Sequence, residues 1–231
     1  MDLGFLPPAH NLALEEVILG EVAAGRAPPT LRIWRNPRCV VVGRGQRAAE
    51  EADLASCMEL GIPVLKRATG GGAVYHHPGN LNFSLFLPLS GPWSTVRSAQ
   101  DRLTGLLAQE IGRRWGLAAE ARGGAVVAAG VKLSGSAQLR RRALLHHGTL
   151  LVKADRIPMG AVLLALRPGY APSGVPSCPH PVGDLTALCG RAVSLEEGVR
   201  ALLRAFRPLG RPTPATPSLR EWALAWAAAA Q

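Results

Sequence analysis

The chain is predicted to take an α+β fold, a mixed and mainly antiparallel sheet flanked by helices. Short apolar runs such as Leu31–Trp34 and Leu81–Leu87 end in turn residues and read as strands. Helical stretches carry their own start and stop signals: Thr95–Trp115 is halted by Gly116, and Ser194-Leu195-Glu196-Glu197 is a capping box. The strands cluster as antiparallel neighbours rather than alternating with helices, so a βαβ sheet is not the reading. At 231 residues and 48% hydrophobic content, the chain is expected to form one domain over residues 1–231, with a substantial core and no separate C-terminal accessory domain.

Taken in order, Asn11 can cap a helix running to about Ala24, with Leu14, Val17, Ile18 and Val22 on one side. Leu31–Trp34 and Cys39–Gly43 read as strands around Asn36-Pro37. Ala48–Leu60 reads as one helix, with Gly61 at its C′ position. Ile62–Lys66 is a strand that runs into Gly70-Gly71-Gly72. Ala73–His76 and Leu81–Leu87 pattern as a hairpin around His77-Pro78-Gly79-Asn80. Ala125–Ala129, Val131–Ala137, Ala143–Leu145 and His147–Val152 read as further strands, and Ile157–Leu166 as a helix. Arg167–Gly183 holds five prolines and three glycines, a long loop of the functional or mobile kind. A helix from Ser194 to about Phe206, a proline-rich connector and a helix over Leu219–Ala230 complete the chain.

No apolar run reaches the ~20 residues of a membrane span, and Met1-Asp2-Leu3-Gly4 lacks a secretory pattern. A membrane is therefore not an expected partner. Cys39, Cys57, Cys178 and Cys189 form no Cys-x-x-Cys pair, which gives neither a zinc site nor a disulfide framework and points to a reduced, cytoplasmic setting. The net charge of +10 favours acidic partners such as a nucleotide or an acidic protein. The basic residues are scattered, apart from Arg140-Arg141-Arg142, and have no interleaved aromatics, so nucleic acid is not an expected partner. Positive charge here is nearly always arginine; the only lysines are Lys66, Lys132 and Lys153, and two of these three fall in the glycine-containing motifs.

Lys66-Arg67-Ala68-Thr69-Gly70-Gly71-Gly72-Ala73-Val74-Tyr75-His76 is a basic, glycine-rich loop running into a strand. Three glycines imply positive φ or close approach, met either by a ligand lying on bare backbone or by a tight turn without one. The segment is not a Walker loop, since no Gly-Lys-Ser/Thr ends it. Val131-Lys132-Leu133-Ser134-Gly135-Ser136-Ala137-Gln138 sets a compact ammonium beside small residues. It can neutralise a developing carboxylate or phosphate charge, or be a solvated strand lysine. His76-His77 and His146-His147 each send their two rings to opposite strand faces, which suits structural or ligand contacts better than metal ligation.

These segments together resemble the lipoate–protein ligase and octanoyltransferase superfamily, which shares its fold with biotin protein ligases and, more widely, class II aminoacyl-tRNA synthetases. The resemblance runs through Asn11–Glu16, Trp34–Pro37, Val41–Gln46, the glycine loop with His76, Gly79 and Asn80, Lys132–Gln138, His146–Leu151 and Asp184–Leu188. It implies ATP-dependent activation of lipoate, or octanoate, to an acyl-AMP, with Mg2+ accompanying ATP, and transfer of the acyl group to a lysine of a lipoyl acceptor domain. Such acceptors are 2-oxoacid dehydrogenase E2 subunits and the glycine cleavage H protein. Lys132 is the implied catalytic residue, touching the acyl carbonyl and the AMP phosphate. The implied ATP and acyl-adenylate contacts are Lys66, Arg67, Thr69, Gly70, Gly71, Gly72, Ala73, Val74, Tyr75, His76, Asn80, Lys132, Ser134, Gly135, Ala137, His147, Gly148 and Thr149, with no metal held by protein side chains. Arg167–Gly183 would close over the adenylate.

The chain departs from the family pattern at Lys66, where an arginine is usual, at His77, where an aspartate often stands, and at Gly124-Ala125, where ligases carry Asn-Asp. A separate activating subunit would serve a chain of this length. The transferase branch moves octanoyl from acyl carrier protein through a cysteine thioester. Its nucleophile lies in the loop before the lysine strand, and Gly116–Gly130 holds no cysteine. Cys178 could supply the thiol only by moving in from the proline-rich loop. A non-catalytic protein that binds a lipoyl or biotinyl group is the reading outside enzymology.

Overall fold

The structure is a computed structural model that describes residues 6–230; Met1–Gly4, read above for a leader, lies outside the described residues. In chain order the elements are α1 (Pro8–Ala23), β1 (Thr30–Trp34), β2 (Cys39–Val42), α2 (Ala48–Glu51), α3 (Leu54–Glu59), β3 (Val64–Lys66), β4 (Val74–His76) and β5 (Asn80–Pro88). They continue with α4 (Val96–Trp115), β6 (Ala119–Arg122), β7 (Ala125–Ala128), β8 (Val131–Arg140), β9 (Ala143–Leu151), α5 (Met159–Val162), α6 (Leu185–Cys189), α7 (Leu195–Ala205) and α8 (Leu219–Ala229). The strands form a six-stranded sheet in the order β1-β5-β9-β8-β7-β6, antiparallel throughout, and a three-stranded sheet in the order β3-β2-β4. In the small sheet β2 runs parallel to β3 and antiparallel to β4. The α+β architecture with a mainly antiparallel sheet is therefore as the sequence predicts.

Period-two alternation decides which face of the large sheet is dry. Leu81, Phe83, Leu85 and Leu87 of β5 and Leu144 and Leu150 of β9 pack against Leu103, Leu107 and Ile111 of α4 and Val199 and Leu202 of α7. Thr95 caps α4 by accepting from the Ser98 N–H, and Gly116 ends it at φ 68°, where glycine is strain-free. The opposite face is half apolar and half polar. Phe86 and Leu145 pack with Leu14, Ile18 and Leu19 of α1 and Ala225 of α8. Further along, Ser84 pairs with His147 and Asn82 with Thr149, which leaves a polar floor between α1 and the small sheet.

Several local expectations are corrected. The hairpin does not form: β4 pairs with β2 and β5 with β1 and β9, so the turn at 77–79 carries the chain from one sheet to the other. Helix α1 starts with Pro8 at its first position rather than at Asn11. Asn11 is buried inside the helix and donates from Nδ2 to the Arg35 carbonyl and to Asn36 Oδ1. The helix over Ala48–Leu60 breaks in two, because Ala52 is extended and Asp53 caps α3 at the Ser56 N–H. His146 does not interrupt β9, which is one strand. Over Ile157–Leu166 only the single turn α5 and a 3₁₀ turn form, the first opened by Pro158. Strand β6 escapes sequence reading because Ala-Glu-Ala-Arg has little strand propensity.

Candidate active site

A cavity of about 570 Å³ opens between the large sheet, the small sheet and the proline-rich segment. Its walls include Leu12 and Trp34 on one side, the glycine loop on another, and Lys132, Gly135 and Ala137 of β8 across from it. Asn82, His147 and Thr149 form the polar floor, and Arg122, Gly123 and Gly124 bring the β6–β7 turn to the rim. Among the described residues, no aspartate or glutamate lines it. A cleft with this charge suits an anionic ligand with an apolar portion.

The glycine loop is shaped by close approach. Gly71 has φ 85°, and a Cβ on Gly43 would run into the Gly71 carbonyl. A Cβ on Gly72 would lie 2.9 Å from both Cα and Oγ of Ser177. Among the described residues, the N–H groups of Gly71 and Gly72 have no backbone partner, so they remain donors for an anion. Arg67 is not free to act as a phosphate clamp. Its Nε donates to Thr69 Oγ1 at 2.8 Å, its NH1 to the Val41 carbonyl at 3.1 Å, and its NH2 to the Gly70 and Gly72 carbonyls at 2.7 and 2.8 Å. Its guanidinium staples the loop through these carbonyls. Burial pulls its pKa down to about 10, and the Glu15 carboxylate opposes that fall.

Lys132 sits where β8 bulges. Val127 faces Lys132 and Val126 faces Ser134, so Leu133 is an extra residue and the strand's parity flips. The flip puts Gly135 on the same side as Lys132. A Cβ on Gly135 would meet Lys132 Cε at 2.7 Å and Nζ at 2.8 Å, so the glycine gives the ammonium its place over the strand. That explains the Lys-x-x-Gly spacing. Burial lowers the Lys132 pKa, the Cys178 sulfur pulls it up, and Arg67 lowers it further. No carboxylate forms an ion pair with Lys132 among the described residues.

The proline-rich segment is tied down rather than loose. Ser177 Oγ donates to Glu51 Oε2 at 2.5 Å and accepts from the Ala73 N–H and from Gln46 Nε2. The Ser177 N–H donates to Tyr170 Oη, which itself donates to Glu51 Oε1. The segment then adds a short bridge in which the Lys132 N–H donates to the Pro181 carbonyl and the Gly183 N–H to the Lys132 carbonyl. Cys178 and His180 thereby line the same cavity as Lys132.

Of the residues singled out from sequence, the cavity brings together Arg67, Gly71, Gly72, Ala73, Val74 and His76 from the loop side. From the sheet it collects Lys132, Gly135, Ala137, His147, Gly148 and Thr149. His76 is neutral: burial drives its pKa to about 3, and its Nδ1 accepts from Asn36 Nδ2 at 3.1 Å. The others lie off the wall. Lys66 is exposed at the end of β3, Thr69 and Gly70 stand behind the loop, and Ser134 is buried on the far side of β8. Tyr75 donates to Asp155 away from the cavity, and Asn80 donates to Asn82. Sequence reading missed Trp34, Asn82, Arg122, Ser177 and His180 as wall residues; of these only Trp34 belongs to a segment the sequence singles out, Trp34–Pro37. The glycines at 123–124, with φ 54° and 83°, form the turn of the β6–β7 hairpin, next to Ala125.

The fold and site define a class: an α+β domain whose cleft sets bare glycine backbone across from one lysine. The chain belongs to the lipoyl protein ligase A/B catalytic domain family, whose match spans residues 7–207. It is 36% identical over 150 residues to an Aeropyrum pernix protein named as a lipoate-protein ligase A, covering 64% of this chain and 55% of that one. It is 30% identical over 182 residues to the mouse mitochondrial lipoyl amidotransferase, covering 76% of this chain and 46% of that one. The chain spans about half the length of the curated relatives it matches. Among solved structures it is similar to a lipoate-protein ligase A bound with ATP, with a TM-score of 0.83, 29% identity and coverage of 99% of this chain and 93% of that one. It is also similar to a bipartite lipoate protein ligase of Thermoplasma acidophilum, studied with its E2 lipoyl domain, with a TM-score of 0.81, 28% identity and coverage of 99% and 91%. Among the described residues, no helix is long and apolar enough to cross a membrane.

Proposed function

We propose that this chain is a lipoate–protein ligase domain that activates lipoate with ATP and passes the lipoyl group to a lysine of an acceptor domain. The observation that carries this reading is Lys132, an ammonium without a carboxylate partner among the described residues, held over a cleft of unpartnered glycine N–H groups. A lipoate carboxylate oxygen attacks the α-phosphorus of ATP, and pyrophosphate leaves. The acceptor amine then attacks the acyl carbonyl, AMP leaves, and the amine's proton passes to solvent. Lys132 stabilises charge in both steps, on the phosphate oxygens and on the carbonyl oxygen; one such donor is typically worth about 3 kcal/mol. Among the described residues, no cluster of three or more His, Cys, Asp or Glu could hold a metal, and the cleft wall has no carboxylate. In this reading Mg2+ arrives with the nucleotide, coordinated by its phosphates. E2 subunits and the H protein are the acceptors this reading favours, in a reduced cytoplasmic setting that suits four unpaired thiols. A separate activating subunit is the remaining partner to test. The experiment incubates the purified chain with lipoate, Mg-ATP and a lipoyl domain and follows the acceptor's mass; gain of one lipoyl group supports the reading, and its absence with and without candidate subunits defeats it.

One observation favours a second reading. Cys178 already lines the Lys132 cavity, so no movement of the proline-rich segment is needed to bring a thiol to the ammonium. In an octanoyltransferase the Cys178 thiolate would attack the thioester of octanoyl-acyl carrier protein, the carrier thiol would leave, and the acceptor lysine would then displace Cys178. Octanoyl transfer without ATP, abolished by Cys178→Ser, would decide for it.

A further inference from the structure

Glu15 is buried on α1 and plays no part in the proposed chemistry, yet two cavity walls end on it. On one side Arg67 Nε is 2.8 Å from Thr69 Oγ1, Thr69 Oγ1 is 2.9 Å from His147 Nε2, and His147 Nδ1 is 2.9 and 3.0 Å from the two Glu15 oxygens. On the other side Trp34 Nε1 donates to Ser84 Oγ at 2.8 Å, and Ser84 Oγ donates to Glu15 Oε1 at 2.5 Å. Both chains have a forced direction. A guanidinium N–H only donates, so Thr69 Oγ1 accepts from Arg67 and spends its own proton on His147 Nε2. His147 then carries its proton on Nδ1 and gives it to Glu15. A protonated Nε2 would leave the Thr69 hydroxyl with two donors and, among the described residues, no acceptor. An indole N–H likewise only donates, which fixes the Ser84 proton toward Glu15.

We propose that Glu15 is a positioning residue that anchors the Nδ1–H of His147 and, through Thr69 and Ser84, holds Arg67 against the glycine loop and Trp34 at the facing wall. Charge adds to direction. Arg67 is deeply buried, and Glu15 is the carboxylate whose charge reaches it. Without that charge, the arginine that staples the Gly70 and Gly72 carbonyls loses its counter-ion, and the loop loses its fixed shape. The role is distinct from catalysis: Glu15 touches neither ligand nor reacting atoms, and it acts through side chains that line the cleft.

The kinetic half of the test rests on the ligase reading; the spectroscopic half does not. In the wild-type chain, nitrogen-15 NMR of the imidazoles should show His147 protonated on Nδ1 and bare on Nε2. Glu15→Gln removes the charge while its amide oxygen can still accept from Nδ1, so the tautomer should hold; KM for lipoate should rise about tenfold, roughly the effect of one well-placed hydrogen bond, while kcat changes little. Glu15→Asp keeps the charge and should keep the Nδ1 proton. Should Glu15→Gln fail to fold, Thr69→Val cuts the chain with Glu15 intact and should raise KM by a similar factor. A wild-type His147 protonated on Nε2, or an unchanged KM in a folded Glu15→Gln or Thr69→Val protein, overturns the proposal. If the wild-type chain transfers no lipoyl group, the ligase reading fails while the NMR result still judges this one.

Discussion

Replacing Lys132 with methionine separates function from stability, because the two should move in opposite directions. The side chain is largely buried, burial pushes its pKa down, and no carboxylate pairs with it among the described residues. Methionine keeps the aliphatic length that lies over Gly135 and removes the ammonium. A charge that acts only as the transition state develops is worth about 3 kcal/mol, so kcat and kcat/KM should fall together by roughly 10²–10³-fold. The folded state, relieved of an unpaired buried ammonium, should gain on the order of 1 kcal/mol, or about 2–4 °C in Tm for a chain of this size. The assay pairs acceptor-mass kinetics with thermal unfolding followed by circular dichroism. Turnover within about threefold of wild type would refute the assignment of Lys132 to the reacting centre. A fall in Tm with the activity loss would refute the account of an unpaired charge tolerated for function.

Gly72→Ala should destabilise by about 1–3 kcal/mol, since its Cβ would meet the backbone of Ser177, itself pinned to Glu51 and Gln46; a Tm within a degree of wild type would contradict that contact. Gly135→Ala should leave Tm nearly unchanged but cut turnover, because the new methyl displaces Lys132 Nζ rather than backbone; unimpaired turnover would count against it. Cys178→Ser should preserve ATP-dependent lipoylation within a few-fold, while complete loss would favour the thioester route. Unfolding free energy should rise from pH 4 to pH 6.5. His76 and His146 are both held near pKa 3 by burial, so in that window the unfolded state binds protons that the folded state refuses. Each ring contributes up to about 1.4 kcal/mol per pH unit, and denaturant titrations that give a flat profile would oppose the neutral, buried assignment.

How far the sequence could be read depended on whether a feature was local. The glycine loop and the Lys132 segment were legible because tight turns and bare backbone leave their mark in consecutive residues. Helices α4 and α7 were legible for the same reason, through Thr95, Gly116 and the Ser194–Glu197 capping box. Strand partners were not: alternation identifies β4 and β5 but carries no information that β4 joins β2 while β5 joins β9. That one choice of partners opens the cavity between the two sheets. Lys66 and Arg67 look equivalent in sequence, yet their directions differ, and only the arginine reaches the cavity. Asn11 reads as a helix cap and Glu15 as an ordinary position of an amphipathic helix. Their hydrogen bonds cross 25 and 132 positions of chain to Asn36 and His147. Cys178 and Ser177 arrive on a loop whose path is set by Glu51 and the Lys132 bridge rather than by its own prolines.

Lipoate-dependent release of pyrophosphate from Mg-ATP by the purified chain tests the central claim most directly, since it isolates adenylate formation in the Lys132 cleft from any acceptor. The account predicts release that requires lipoate and disappears in Lys132→Met. Lipoate binding without pyrophosphate release, unchanged when candidate activating subunits are added, would contradict it.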